Sequence, residues 1–248
     1  MMDADIENNA LAFRKGLAGI LQTNIVSIAD RDATKLDSAY ARLTCLQAIR
    51  VSLLEGRISD GSLGFYAEAQ GDGLTSQVLI MTGASRSALK SLRSLIENVV
   101  RSIYYADHPV EYRLWESGKH RPTFKSLFDY LEIHPDLVGR DTNIQSVNAL
   151  HTSWKTLSQA VHASAVTERM SGTLDKITIW KTTRKSVGQW STFQQNVIQS
   201  ISLLYLNLYS PQMQGAACKA LREALQYTIM PNKDAKILAE LQVKILRN

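Results

Sequence analysis

Two pairs of polar residues carry the side chains of this sequence that are best suited to chemistry. Arg93 and Glu97 lie four residues apart in one segment, and Ser158 and His162 lie four residues apart in another. In a helix this spacing puts both members of a pair on one face, within reach of each other. An imidazole can take up a proton near neutral pH, and a guanidinium can hold an anion. The four residues are therefore candidates for general acid–base chemistry beside a negatively charged group.

Each pair follows an apolar seam of helical spacing. The seams have the same 3-4-3-4 spacing and consist of Leu89, Leu92, Ile96, Val99 and Ile103 in the first segment, and of Val147, Leu150, Trp154, Leu157 and Val161 in the second. This periodicity is typical of an amphipathic helix. Each polar residue directly follows a seam residue. If the two seams pack together, we expect the four polar groups to meet at the rim of the interface.

The composition indicates a helical protein. Among 248 residues there are only 13 glycines and 5 prolines, while hydrophobic residues make up 45% and charged residues 21%. Few turn-forming residues and an ordinary hydrophobic content favour helices over a many-stranded sandwich or barrel. The sequence predicts an all-α fold, with one compact unit large enough to bury a core.

The hydrophobic pattern predicts four segments along the chain. Residues 1–56 read as an N-terminal helical hairpin with its turn in the polar stretch ADRDAT, and residues 57–73 as a glycine-rich linker. Residues 74–210 form the predicted helical core, and further helices occupy 211–248. Within the core, the alternating β-branched residues near 175–187 predict a possible small β-hairpin.

This hairpin region also contains a candidate nucleic-acid-binding surface. Its basic and aromatic residues are Lys176, Lys181, Arg184, Lys185 and Trp180. Cations can follow a phosphate backbone while an aromatic ring stacks on a base. The alternative interpretation is a solvated hairpin that is anchored by its tryptophan.

Charge and cysteine content set outer bounds on function. The formal charge of +5 is compatible with a polyanionic partner such as RNA without establishing one. The two cysteines fit a reducing cytoplasm, and neither a signal peptide nor a membrane-spanning run is recognisable. The sequence offers no cluster of His, Cys or carboxylates at metal-ligand spacing, so we expect no metal or other cofactor.

Two short motifs resemble those of a known family. The stretch SLRSLIENVVRSIYY, followed at a distance by WKTLSQAVHAS, resembles the HEPN-like helical families of prokaryotes, in which an R-x-x-x-E helix precedes an L-S-x-x-V-H-x-S helix. The resemblance covers about residues 74–210. It implies a helical bundle, frequent dimerisation, and a role in RNA cleavage, phage defence or toxin–antitoxin systems.

One departure from the family pattern concerns the catalytic arginine. HEPN nucleases carry an arginine with four to six residues between it and the active histidine, and WKTLSQAV upstream of His162 contains none. The pairs Arg101–His108 and Arg113–His120 have that spacing, but about one such match is expected by chance. A rearranged site remains feasible for metal-independent RNA cleavage, with His162 as the base and Arg93 as the phosphate ligand. Ser158 would orient the groups, and Glu97 would hold Arg93 or set the tautomer of His162.

Two functions stay open at this point. One is an RNA-directed effector, as a metal-independent endoribonuclease that acts as a dimer or with a protein partner. The other is a non-catalytic helical module, such as an accessory subunit of a defence or toxin–antitoxin complex. In the second case the four polar residues would form a satisfied hydrogen-bond network that fixes the register of two helices.

Overall fold

Helices account for nearly all regular structure of the protein. The structure, a computed structural model, describes residues 2–141, 146–162, 171–173, 176–177, 183–213, 218–229 and 231–246. The helices are α1 (Met2–Ile49), α2 (Asp60–Met81), α3 (Ser85–Asp107), α4 (Pro109–Glu116), α5 (Phe124–Ile133), α6 (Val147–His162), α7 (Arg184–Leu208), α8 (Lys219–Ala224) and α9 (Pro231–Glu240). A π-helical turn, Arg50–Leu54, continues α1, and short 3-10 turns cover Ser210–Met213 and Leu225–Tyr227. The predicted all-α fold is confirmed.

One continuous apolar core joins these helices. Members of it come from the second half of α1, from α2, α3, α5, α6 and α7, and from the C-terminal segment, where Leu221, Leu225 and Leu241 are buried. The central helices α2 and α3 form an antiparallel hairpin, in which Ser76 donates to the carbonyl of Ala88 and Ser102 donates to that of Ser62. The described residues therefore form a single unit, and the C-terminal helices lie against the bundle.

The predicted N-terminal hairpin is wrong in its turn, whereas the helices predicted on either side of it are present. At Asp32, whose backbone is non-helical at φ −119° and ψ 21°, α1 kinks between two helical parts and continues to Ile49 without turning back. The Asp32 carboxylate is buried and accepts hydrogen bonds from Arg31 (2.7 Å) and Lys35 (3.0 Å). Because these two cations neutralise it, the polar stretch is accommodated as a kink between the two parts.

The predicted glycine-rich linker at 57–73 is also wrong. From Asp60 onward these residues belong to α2, which begins at Ser59, where the side chain accepts a hydrogen bond from the backbone N–H of Ser62. At Gly73 the helix lies so close to α1 that an added Cβ would be 2.7 Å from Leu43. A glycine that looks like a breaker in sequence here permits close helix packing. The boundary predicted at residue 74 accordingly falls inside α2.

The segment near 175–187 is only partly extended. Two short strands, β1 (Ser171–Thr173) and β2 (Lys176–Ile177), pair antiparallel. Helix α7 begins at Arg184, with the Thr183 side chain accepting from the backbone N–H of Ser186. The predicted hairpin therefore does not extend to residue 187, because a capped helix begins within it. Residues 174–175 and 178–182 lie outside the described residues.

Candidate functional site

Helices α3 and α6 pack against each other, as their seams predict. The seam residues of α3 are buried, and so are Val147, Leu150 and Leu157 of α6. The direction of α6 relative to α3 follows from α5, which contacts both helices. Phe124 and His134, at the two ends of α5, meet Arg101 and Asp107 of α3, so that α3 and α5 run parallel.

The other side of α5 gives the direction of α6. Phe124 stacks on Trp154, with ring centroids 5.6 Å apart, and Phe128 stacks on His151, with centroids 4.3 Å apart. Later residues of α5 thus meet earlier residues of α6, and the two helices are antiparallel. Helices α3 and α6 are therefore antiparallel as well, and the chain direction from Trp154 towards His162 leads towards the N-terminal half of α3.

Arg93, Glu97 and Trp154 form the centre of the interface rim. Arg93 pairs with Glu97 at 2.9 Å, and its guanidinium carbon lies 5.2 Å from the centroid of the Trp154 ring. The indole N–H of Trp154 donates to the Glu97 carboxylate at 3.0 Å. The side chains of Arg93 and Glu97 are 24% and 16% exposed, so solvent reaches both. We call Arg93, Glu97, Trp154 and Ser158 the α3–α6 site.

One donor in this site has no acceptor among the described residues. The Nε of Arg93 is buried and makes no hydrogen bond within that part of the chain. Leaving such a donor unmet costs about 1–3 kcal/mol. A buried polar group without a hydrogen-bond partner needs an explanation, and a role in a functional site is one such explanation.

The second predicted pair is arranged differently from the first. The Ser158 hydroxyl donates to the backbone carbonyl of Trp154 at 2.7 Å, one turn earlier in its own helix. Helix α6 ends at His162, whose side chain lies outside the described residues. The structure thus brings Arg93 and Glu97 together with α6 through Trp154, a seam residue that the sequence did not single out as polar.

Further cationic and aromatic side chains extend the α3–α6 site along α3. Arg101 covers Phe124, with its guanidinium carbon 4.7 Å from the ring centroid, and donates to the side chain of Asn98 at 3.3 Å. Burial lowers the pKa of Arg101, and the nearby charges of Arg93 and Arg121 act in the same direction against that of Glu97. The rim is therefore a row of two arginines on aromatic rings, with Glu97 between them and Asp72 beside them, where it accepts a hydrogen bond from Asn98 at 2.8 Å.

The predicted nucleic-acid-binding residues are only partly described. Arg184 and Lys185 are exposed in the first turn of α7, and Lys176 lies in β2, with its side chain outside the description. Trp180 and Lys181 lie outside the described residues. The helical start of α7 presents Arg184 and Lys185 from a helix and not from a hairpin.

A His–Asp–Tyr cluster was missed at the sequence level. Asp107 accepts hydrogen bonds from Tyr130 at 2.8 Å and from Nε2 of His134 at 3.1 Å. The Nδ1 of His134 accepts from the backbone N–H of Asp136 at 3.1 Å, so both ring nitrogens are used. The cluster borders a cavity of about 190 Å³ between α3, α5 and α7. No sequence signal links Asp107 and His134, because they are 27 residues apart, one in the last turn of α3 and the other directly after α5.

This cluster is a structural one as it stands. A histidine whose two nitrogens are both hydrogen-bonded has no free nitrogen with which to take a proton from a substrate. Partial loss of hydration raises the pKa of Asp107, whose side chain is 41% exposed, but the hydrogen bonds from His134 and Tyr130 outweigh that effect, and the pKa is lowered overall. The ionised carboxylate holds the end of α3 to α5.

Comparisons with protein-family models, with curated proteins and with solved structures gave no match to this chain. The resemblance to the HEPN-like families therefore rests on the two motifs alone. Across the residues that the structure describes, no group of three or more His, Cys, Asp or Glu side chains is arranged to hold a metal ion. In that same part of the chain, no helix combines the length and the apolar character that crossing a bilayer requires.

Proposed function

We propose that this protein is an RNA-directed effector that cleaves RNA without a metal ion, in a phage-defence or toxin–antitoxin setting in the cytoplasm. The observation that carries the proposal is the guanidinium of Arg93 on the ring of Trp154, at the rim where α3 meets the helix that ends at His162. Arginines and aromatic rings in one partly exposed row are suited to a single-stranded polyanion.

The proposed roles follow from the chemistry of each group. His162 takes the proton from the ribose 2′-hydroxyl, whose oxygen bonds to phosphorus as the bond from phosphorus to the 5′-oxygen breaks, and Arg93 stabilises the charge that builds on the phosphate. The products are a 2′,3′-cyclic phosphate and a 5′-hydroxyl, which forms when the leaving oxygen takes a proton from water. Glu97 orients Arg93 by the ion pair at 2.9 Å. Ser158 orients the groups from the last turns of α6, where its hydroxyl donates to the backbone carbonyl of Trp154. Arg101 and the cations at the start of α7 would bind the RNA backbone on either side.

A specific observation favours the second candidate, a non-catalytic helical module. Glu97 already accepts from both Arg93 and Trp154, and Ser158 is bonded to its own helix, which is what a register-fixing network looks like. An apolar groove of about 630 Å³ between α1, α2 and α8, bordered by the exposed Tyr40, Val51 and Leu74, is also available to a partner.

The test is RNA cleavage in the presence of EDTA by the purified full chain and by the His162→Ala variant. We expect the variant to lose about 10²–10⁴-fold in rate, as is usual when a general base is removed. His151→Ala, which changes the other histidine of α6, is the matched control and should keep the rate. Unfolding is measured for each variant, so that a loss of fold is recognised.

Two results would contradict the nuclease proposal. One is a wild-type chain that binds single-stranded RNA but does not cleave it in any buffer, and the other is cleavage that survives in His162→Ala.

Binding is tested separately with Lys181→Gln/Arg184→Gln/Lys185→Gln. This variant should bind more weakly and with a flatter salt dependence, because fewer counterions are released from the RNA.

A further inference from the structure

The first part of α1 projects from the body with an uncovered apolar stripe. Contact with the body begins near Asn24, whose side chain donates to the carbonyl of Thr82, and Ile28 is the first buried residue of α1. Before that point Ile6, Phe13 and Ile20 are 57%, 60% and 46% exposed. Gly16 and Gly19 also lie in this part, and glycine is a poor helix former. A projecting helix of this composition needs a packing partner to be stable.

The spacing of the stripe indicates another helix as that partner. Its members alternate by four and three residues, and they are Ile6, Ala10, Phe13, Leu17 and Ile20. This is the seam of a left-handed coiled coil, in which two helices wind around each other and keep the seam buried along its length. From Ile6 to Ile20 the seam is about 21 Å long at 1.5 Å per residue.

The charges beside the seam indicate which helix pairs with it and in what direction. Asp3, Asp5 and Glu7 make the start of the helix acidic, and Arg14 and Lys15 make the next turns basic. Two copies in parallel would place acidic beside acidic ends. Two antiparallel copies place each acidic end beside a basic one, which is favourable at short range.

Side-chain size agrees with the antiparallel direction. In an antiparallel pair centred between Leu11 and Ala12, Ala10 of one copy lies opposite Phe13 of the other, and Ile6 lies opposite Leu17. The small Ala10 then leaves room for the large Phe13 in the two central layers, and the outer layers pair two aliphatic side chains of equal size, which suits close packing. Glu7 and Arg14 each follow a seam residue by one position. In the antiparallel dimer, Glu7 of each copy therefore lies beside Arg14 of the other copy, and these two ion pairs flank the seam.

We propose that residues 5–18 of α1 form an antiparallel coiled coil with the same segment of a second copy of this chain. The proposal does not depend on the RNA function, because it rests on a different part of the molecule. Such a dimer would place two helical bodies at opposite ends of a short helical rod.

The first test is the mass of the full chain in solution, by light scattering after size-exclusion chromatography at micromolar concentration. We expect a dimer for the wild type and a monomer for Ile6→Gln/Phe13→Gln/Leu17→Gln. The matched control is Leu11→Gln/Val26→Gln, which changes exposed apolar residues on other faces of α1 and should stay dimeric. Phe13→Gln alone is a milder variant, for which we expect the dissociation constant of the dimer to rise at least tenfold.

The second test examines direction by charge reversal. Glu7→Lys alone and Arg14→Glu alone should each weaken the dimer about two- to tenfold at low salt, and the double variant should restore it, because exposed ion pairs contribute modestly. The two residues are seven positions apart in one helix, too far to pair within a chain.

Three outcomes would overturn the proposal. A wild-type monomer at these concentrations would do so, and so would a dimer that survives the triple seam variant, since another surface such as the apolar groove would then hold it. A double charge variant that fails to recover would rule out the antiparallel direction. Thermal unfolding of every variant shows whether the body remains folded.

Discussion

At the scale of single residues, ion pairs and hydrogen bonds tie the ends of helices to their neighbours. Asp107 is the last residue of α3 and holds both Tyr130 and His134 of the α5 region. These two donors stabilise the ionised carboxylate, and they outweigh the opposing effect of its partial loss of hydration, so that its pKa is lowered. The free energy of unfolding therefore depends on the protonation of this one group at acidic pH.

The pH dependence of stability tests this directly. A carboxyl whose pKa is lowered on folding stabilises the protein above its unfolded pKa, about 3.9, and the contribution is lost as the pH falls through the lowered folded value. Asp107→Asn should therefore lose less stability than the wild type between pH 5 and pH 3 in urea-unfolding experiments. Tyr130→Phe removes one of the two donors and should give an intermediate slope. Identical slopes for all three proteins would contradict the assignment.

At the scale of helices, α2 shows how glycines can serve packing and not flexibility. Gly73 faces Leu43 of α1 and Leu95 of α3, and an added Cβ would lie 2.7 Å and 3.2 Å from these two buried side chains. Gly71, two residues earlier, has nothing within 4 Å of the same hypothetical atom. Two glycines of one helix thus differ in their effect: Gly73 allows close packing of helices, whereas Gly71 makes no such contact.

A pair of alanine substitutions distinguishes the effect of glycine on packing from its effect on helix propensity. Gly73→Ala gains helix propensity but overpacks the core, and we expect a net loss of about 1 kcal/mol in the free energy of unfolding. Gly71→Ala gains the propensity alone and should stabilise by about 0.5–1 kcal/mol. Chemical unfolding monitored by circular dichroism measures both. Equal effects of the two changes would show that α2 does not approach α1 as described.

At the scale of the whole molecule, the continuous core makes a buried thiol a reporter of global unfolding. Cys45 of α1 is fully buried, and its Sγ donates to the carbonyl of Ala224 at 2.7 Å. Burial raises the pKa of Cys45 to about 12, against the smaller effect of the hydrogen bond with Thr228. Cys218 is only half-buried.

Thiol titration checks this arrangement. With a chromogenic disulfide reagent at pH 8, we expect Cys218 to react within minutes in the native protein and Cys45 to react only on unfolding, because the thiolate is the reactive form. Cys218→Ser should leave a native protein with no rapidly reacting thiol, and Cys45→Ala should leave the rapid phase unchanged. Rapid modification of Cys45 in the folded Cys218→Ser variant would contradict the described core.

Residue spacing alone predicted the fold class and the packing of α3 on α6. Helical periodicity is local information, so all five seam positions of α3 and the buried Val147, Leu150 and Leu157 of α6 could be predicted from it, and so could the Arg93–Glu97 pair. The roles of Ser158 and His162 remain predictions. Capping and breaking signals were less reliable, because packing of α2 on α1 overrides the local preference of glycine, and cations neutralise Asp32 within the kink.

Which distant residues meet could be seen only in the folded molecule. Trp154 bonds to Glu97 across 57 residues, and His134 bonds to Asp107 across 27, although nothing in either local sequence specifies the other. The physical reason is that a hydrogen bond between helices depends on their relative direction and register. Those are set by the sum of many apolar contacts in the core, whereas residue spacing along one helix reports only the face that the helix buries.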